Sequence, residues 1–119
     1  MVSTNVMAEW TRVTESEDGE QTVYIDYGTI KKKGHKVKMW VLKDYKTAIT
    51  DGGYTFLSEL GLEEYDCIEE TKQTMGFYYF SGNMRGGTPV YSDTTTNLLN
   101  PIVLGSISET PFKIACDKK

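Results

Sequence analysis

Along the first hundred residues, apolar side chains recur at every second position, in short runs broken by Gly and Asp. That period predicts strands rather than helices. Residues 8–13 form a first expected strand, anchored by Trp10, and residues 22–26 a second. The Asp18-Gly19 pair between them is a hairpin signal. Residues 26–30 read as a short turn that the Asp26 side chain can cap. The clearest strand is 36–44. It places Val37, Met39 and Val41 on one face and Lys36, Lys38, Trp40 and Leu42 on the other. The second face begins wet and becomes buried near Trp40, so Trp10 and Trp40 are both expected in the core. After an Asp51-Gly52-Gly53 turn, residues 54–60 and 64–71 read as strands, or as one strand bent at Gly61. Residues 77–80 form a short strand, 81–87 a loop and 88–92 a further strand, whereas 93–101 is polar and turn-rich. One helix is expected, at the end of the chain. Ser108 as N-cap sets Pro111 in the first turn, where its missing N–H costs nothing. Phe112, Ala115 and Cys116 then share the face that docks on the sheet. The fold class expected is α+β, mainly β, with one antiparallel sheet of about six strands and a C-terminal α-helix packed on it.

The length of 119 residues fits one domain spanning 1–119, with tails at 1–7 and 117–119. Apolar residues make up 39% and charged residues 25%, the composition of a chain with an ordinary core. No apolar run approaches the ~18 residues of a transmembrane helix. The net charge of −4 and pI near 5.0 argue against a nucleic-acid partner. That charge is uneven: residues 1–30 carry −5, residues 31–46 carry +6 and residues 47–119 carry −5. The positive field is concentrated in Lys31, Lys32, Lys33, His35, Lys36 and Lys38. These residues are a candidate binding surface for an acidic protein segment or an anionic polysaccharide. Lysines on a strand edge also serve to block sheet-to-sheet association.

Catalytic chemistry is hard to assemble from this sequence. His35 is the only histidine, and its lysine-rich turn keeps it in solvent, so no Ser–His or Cys–His pair is expected. Cys67 and Cys116 are too few for a structural zinc site, and no phosphate-binding glycine loop is present. The acidic stretch 63–70 lacks calcium-loop spacing. On a strand it divides its carboxylates between two faces, Glu64, Asp66 and Glu70 against Glu63 and Glu69. It therefore reads as a solvated strand paired across to the lysines. No enzyme activity, cofactor or metal is expected. Tyr45, Tyr54, Tyr78, Tyr79 and Tyr91 exceed what a small core needs. They supply either an aromatic protein-binding surface or cross-strand ring pairs. Cys67 and Cys116 are either a disulfide, which would imply an oxidising compartment, or two separate buried thiols. Residues 1–10 lack the basic and apolar regions of a signal peptide. Export would therefore mean that this sequence starts after a natural cleavage site.

A set of landmarks carries a family resemblance: Trp10, Tyr24-Ile25-Asp26, Thr29-Ile30, and Val37-Lys38-Met39-Trp40-Val41-Leu42-Lys43-Asp44-Tyr45. They continue through Ser58, Tyr65-Asp66-Cys67, Gly86-Gly87, Pro101-Ile102 and the run from Ser106 to Ala115-Cys116. In combination they resemble the surface-adhesin E-like family of small exported proteins from Gram-negative bacteria, over most of the chain. Pro111 in the helix and the 98–101 stretch depart from the pattern. The resemblance implies a helix pinned to the sheet by a Cys67–Cys116 disulfide and export to the cell surface, outer membrane or periplasm. It also implies a non-catalytic adhesin that recruits host matrix or serum proteins such as laminin, vitronectin and plasminogen. Two other readings stand beside it. One is a periplasmic inhibitor or accessory module that holds a cationic enzyme such as lysozyme through residues 63–70. The other is a structural envelope component that forms a homodimer through an open sheet edge.

Overall fold

A computed structural model describes residues 9–95 and 98–117. The expected tails (Asp117 apart), together with Ala8 and residues 96–97, lie outside the described residues. The strands are β1 (Thr11–Glu15), β2 (Gln21–Ile25), β3 (Lys31–Lys33), β4 (Lys36–Asp51), β5 (Tyr54–Asp66), β6 (Thr71–Phe80), β7 (Pro89–Asp93) and β8 (Leu98–Pro101), and the helix α1 is Glu109–Cys116. All pairings are antiparallel, in the order β1-β2-β4-β5-β6-β7. Among the described residues the sheet has eight strands rather than about six, because two long strands each hold two short partners in tandem. β2 and β3 share one edge of β4, while β7 and β8 share one edge of β6. The polar 93–101 stretch, expected to hold no element, thus contributes β8. Its sequence hides this because Leu98 and Leu99 are both exposed, so no alternation marks the strand.

The strands expected at 54–60 and 64–71 are a single strand, β5, that ends at Asp66. The chain then turns through Cys67–Glu70, where Glu70 adopts φ 57°. Gly61 leaves space that the Glu63 carboxylate occupies. A Cβ there would meet Oε2 of Glu63 at 2.8 Å, and the bulge falls one residue later, between Leu62 and Glu63.

One face of the sheet is closed by α1. Val23, Ile25, Val37, Met39, Val41 and Tyr65 form a buried cluster with Ala115, and Phe112, Ile114, Cys116, Ile102 and Ile107 pack against it. The period of two on β4 delivers this arrangement, with Val37, Met39 and Val41 facing the helix as expected. The helix starts after Ser108 with Pro111 at its third position. Ser108 makes no side-chain cap, and its hydroxyl meets that of Ser106 at 2.9 Å instead. Of the two N–H groups such a cap can accept from, that of the third helical residue is missing because it is Pro111. Glu109 reaches back to the N–H of Gly105 at 2.9 Å, outside the helix.

An eight-residue helix is too short to be stable in water on its own. Here it is fastened by the Cys67–Cys116 disulfide, whose Cα atoms are 5.6 Å apart. The bridge joins residues 49 apart in sequence, which loop-closure entropy makes worth about 4 kcal/mol. Replacing Cys116 with Ser is expected to lower unfolding stability by about 2–5 kcal/mol, read from urea denaturation. Reducing agent should give the unmutated protein the same loss and leave the variant unchanged.

Candidate functional site

The tryptophans are not in the core. Both are half-buried and lie outside the helix-side cluster. Trp40 shares the parity of Lys36 and Lys38, so it points to the face that α1 does not cover. That face is partly closed by the loop after β6. The loop is bound down by short polar contacts: Ser58, fully buried, donates to the Gly82 carbonyl at 2.7 Å and accepts from the Arg85 N–H at 2.9 Å. Asp44 accepts from the Met84 N–H at 2.7 Å and from the Asn83 amide at 3.2 Å. Within this frame Met84 and Arg85 hold left-handed conformations, φ 53° and 65°. Such strain persists only where the surroundings over-determine it.

The six basic-segment residues converge on one hairpin. Lys31, Lys32 and Lys33 form β3, His35 is in the turn, Lys36 and Lys38 open β4, and all are exposed. The register sets Lys31 opposite Lys38 and Lys33 opposite Lys36. These pairs put like charges about 5 Å apart at Cβ, an arrangement that is destabilising unless something compensates. The next strand supplies Glu64 opposite Lys38 and Asp66 opposite Lys36. Among the described residues, however, none of Lys31, Lys33, Lys36 and Lys38 forms an ion pair. The pair at this end is His35 Nε2 with Asp66 at 3.5 Å. The lysines and Glu64 border a surface hollow of about 320 Å³.

The acidic stretch does not make one face. Glu63 is only 4% exposed, on the helix side, and its carboxylate accepts from the Thr74 hydroxyl at 2.7 Å. Burial pushes the nearby Lys72 ammonium below its usual pKa, with Glu63 opposing the shift. Glu64 and Asp66 face the other way. Glu69, expected opposite them, joins them around a second hollow because the chain turns after Asp66. The Asp66 carboxylate caps that turn, accepting from the N–H groups of Glu69 at 2.9 Å and Ile68 at 3.0 Å. These bonds, then His35 and Lys36, hold its pKa below the usual carboxylate value.

The surplus tyrosines mostly pair with other rings. Tyr79 stacks on Phe56 at 3.8 Å, Tyr54 on Tyr91 at 4.6 Å, and Tyr45 meets Phe56 edge-on at 5.9 Å. Burial and Glu59 raise the Tyr45 pKa, and its hydroxyl donates to Glu59 at 3.1 Å. Tyr78 lies 6.3 Å from Trp40.

Sequence reasoning missed a groove of about 230 Å³ lined by Trp10, Asp26, Thr29, Trp40, Leu60 and Arg85. It sits where β4 lacks a strand partner, between the stretches paired to β2 and to β3. The turn Tyr27–Thr29 fills that gap, with Asp26 capping it through the Gly28 N–H at 3.0 Å and Thr29 Oγ1 accepting from the Trp40 N–H at 3.1 Å. The signal available in sequence was the shared parity of Trp40 with two exposed lysines.

A single antiparallel sheet, one face closed by a disulfide-bound C-terminal helix and the other bearing an exposed basic hairpin, defines a small disulfide-bonded β-sheet protein. Residues 10–117 match the family model of surface-adhesin protein E, and the chain belongs to that family. Its fold is that of Haemophilus influenzae protein E. One crystal form of that protein gives a TM-score of 0.70 at 11% identity over 97% of this chain and 92% of that one. A second structure, from non-typeable Haemophilus influenzae, gives 0.61 at 11% identity over 97% and 80%. No curated protein sequence matches the chain.

Two outcomes test these contacts. Ser58→Ala leaves the Gly82 carbonyl and the Arg85 N–H unpaired, so a stability loss of about 1–3 kcal/mol is expected, with faster hydrogen exchange at Arg85. Asp66 has a folded pKa below its unfolded value, so its contribution is present above about pH 4 and lost as pH falls through the folded value. Asp66→Asn should therefore flatten the fall of the urea midpoint below about pH 4.

Proposed function

We propose that this protein is an exported, non-catalytic surface adhesin that engages anionic partners through the Lys31–Lys38 hairpin. Acidic segments of host matrix proteins, laminin among them, and anionic polysaccharides are the ligands of matching chemistry. The observation that carries the reading is the row of like-charged cross-strand pairs, Lys31 with Lys38 and Lys33 with Lys36. Cross-strand partners so placed sit about 5 Å apart at Cβ, inside one Debye length of about 8–10 Å, and a polyanion relieves their repulsion. Family membership supports the surface role. The inhibitor reading has less support, since it needs a continuous acidic face and Glu63 is turned inward.

Lys31 and Lys33 lie on the outer strand, one strand further from Glu64 and Asp66 than Lys38 and Lys36 are, so reversing their charge leaves the inner cross-strand register of Lys38 with Glu64 and Lys36 with Asp66 in place. Binding of heparin and of laminin to immobilised protein at about 0.15 M salt is expected to weaken at least about tenfold in the Lys31→Glu/Lys33→Glu variant. Wild-type binding should fall steeply as salt rises. Equal binding by the two proteins, or binding by neither, would remove the hairpin from the function.

A further inference from the structure

We propose that the groove between Trp10 and Trp40 is a separate binding site for a neutral sugar ring, such as one pyranose residue of a glycan. This goes beyond the hairpin and stands on different residues. The groove floor is apolar, made by two half-buried indoles and Leu60. Flat aromatic faces held partly open to water are suited to the C–H face of a pyranose, which covers apolar surface without requiring its hydroxyls to be buried. The rim is polar and of both signs. Asp26 offers a carboxylate whose Oδ1 is engaged by the Gly28 N–H. Arg85 offers a guanidinium that lies 5.9 Å over the Phe80 ring and forms no ion pair among the described residues.

This mixture selects the ligand class. A cation would be attracted to Asp26 and the indole faces but repelled by Arg85. An anion would meet the reverse. A neutral polyhydroxyl ring satisfies both, donating a hydroxyl to the carboxylate and accepting from the guanidinium. The volume of about 230 Å³ lies below the ~300–1,000 Å³ of pockets for drug-sized ligands, and suits a single ring.

The site is also built rather than incidental. Thr29 fixes the backbone beside Trp40. Trp10 precedes the β1 residue that pairs with Ile25, so it enters opposite Asp26. On the other side, the Arg85 backbone is held at φ 65° by Ser58, inside the loop that Asp44 pins. Met84 and Arg85, two consecutive non-glycine residues, are both held in the left-handed region. Their fixed backbone keeps Arg85 at the groove rim.

The chain has two tryptophans, so the indole N–H region of a ¹H–¹⁵N NMR spectrum holds one signal from each side of the groove. The experiment titrates the methyl glycosides of glucose, galactose, mannose and N-acetylglucosamine into the protein, with free phenylalanine as the zwitterionic competitor. At least one glycoside is expected to shift both indole signals saturably, with a Kd of about 1–10 mM, the weak affinity of a single ring. Arg85→Gln and Trp10→Ala should each weaken this at least about fivefold, a difference of ~1 kcal/mol. Their remaining amide signals would report that the fold is kept. The Lys31→Glu/Lys33→Glu variant should bind the glycoside as wild type does. No saturable shift with any glycoside would overturn the proposal. So would shifts that are unchanged in both groove variants, or produced by phenylalanine alone.

Discussion

The register between β4 and β5 is the constraint on which the rest of the molecule depends. It pairs Lys36 with Asp66, Trp40 with Leu62 and Asp44 with Ser58. A slip of one residue would turn every side chain of β4 to the opposite face. Lysines would then enter the helix side, and Val37, Met39 and Val41 would leave it. The same register ends β5 beside the hairpin turn, where the Cys67 N–H donates to the His35 carbonyl at 2.9 Å. That bond places Cys67 under the C-terminal helix, within reach of Cys116. At the other end, the register sets Asp44 next to Ser58, and the two together hold the 82–87 loop.

The two faces of the sheet therefore have different duties. The helix side is closed by apolar burial and a covalent link, and it even accommodates the buried Glu63 by giving it Thr74. The other side carries charge, the tryptophan groove and the strained loop. Burial supplies stability on the first face, which leaves the second free to keep like charges and aromatic rings partly exposed, at some cost in energy. The second face is not wholly open, since Leu42, Ser58 and Leu60 are buried on it beside Trp40.

The edges of β4 explain the open face in more detail. A sixteen-residue strand is far longer than its neighbours β2 and β3, so no single short strand can satisfy its backbone groups along one edge. Two strands share the work and leave a gap. The Trp40 N–H within that gap is satisfied by a threonine hydroxyl rather than by a strand. The interruption is what lets Trp10, Asp26 and Arg85 gather around Trp40.

Much of this was already legible in the residues. The period of two on residues 36–44 determined which side chains of β4 face the core. Asp18-Gly19, Lys33-Gly34 and Asp51-Gly52-Gly53 determined three turns, since Gly19, Gly34, Gly52 and Gly53 all take positive φ. Asp26 determined its own turn, and Ser108 with Pro111 the start of the helix. Such features are local, decided by side chains within a few residues of each other. The pairing of Cys67 with Cys116 stayed one of two readings until the family resemblance was added. Only the tertiary structure decided the rest. The long β4, the tandem short strands and β8 depend on which distant backbone groups need partners. Glu63 lies on the face its alternation with Glu64 and Asp66 implies, opposite Met39, but its burial there follows from the cover on that face, which its neighbours in sequence do not specify. The tryptophans left the core because burial is a property of the face that something else covers. The residues that cover it, in the helix and in the 82–87 loop, lie tens of positions away along the chain.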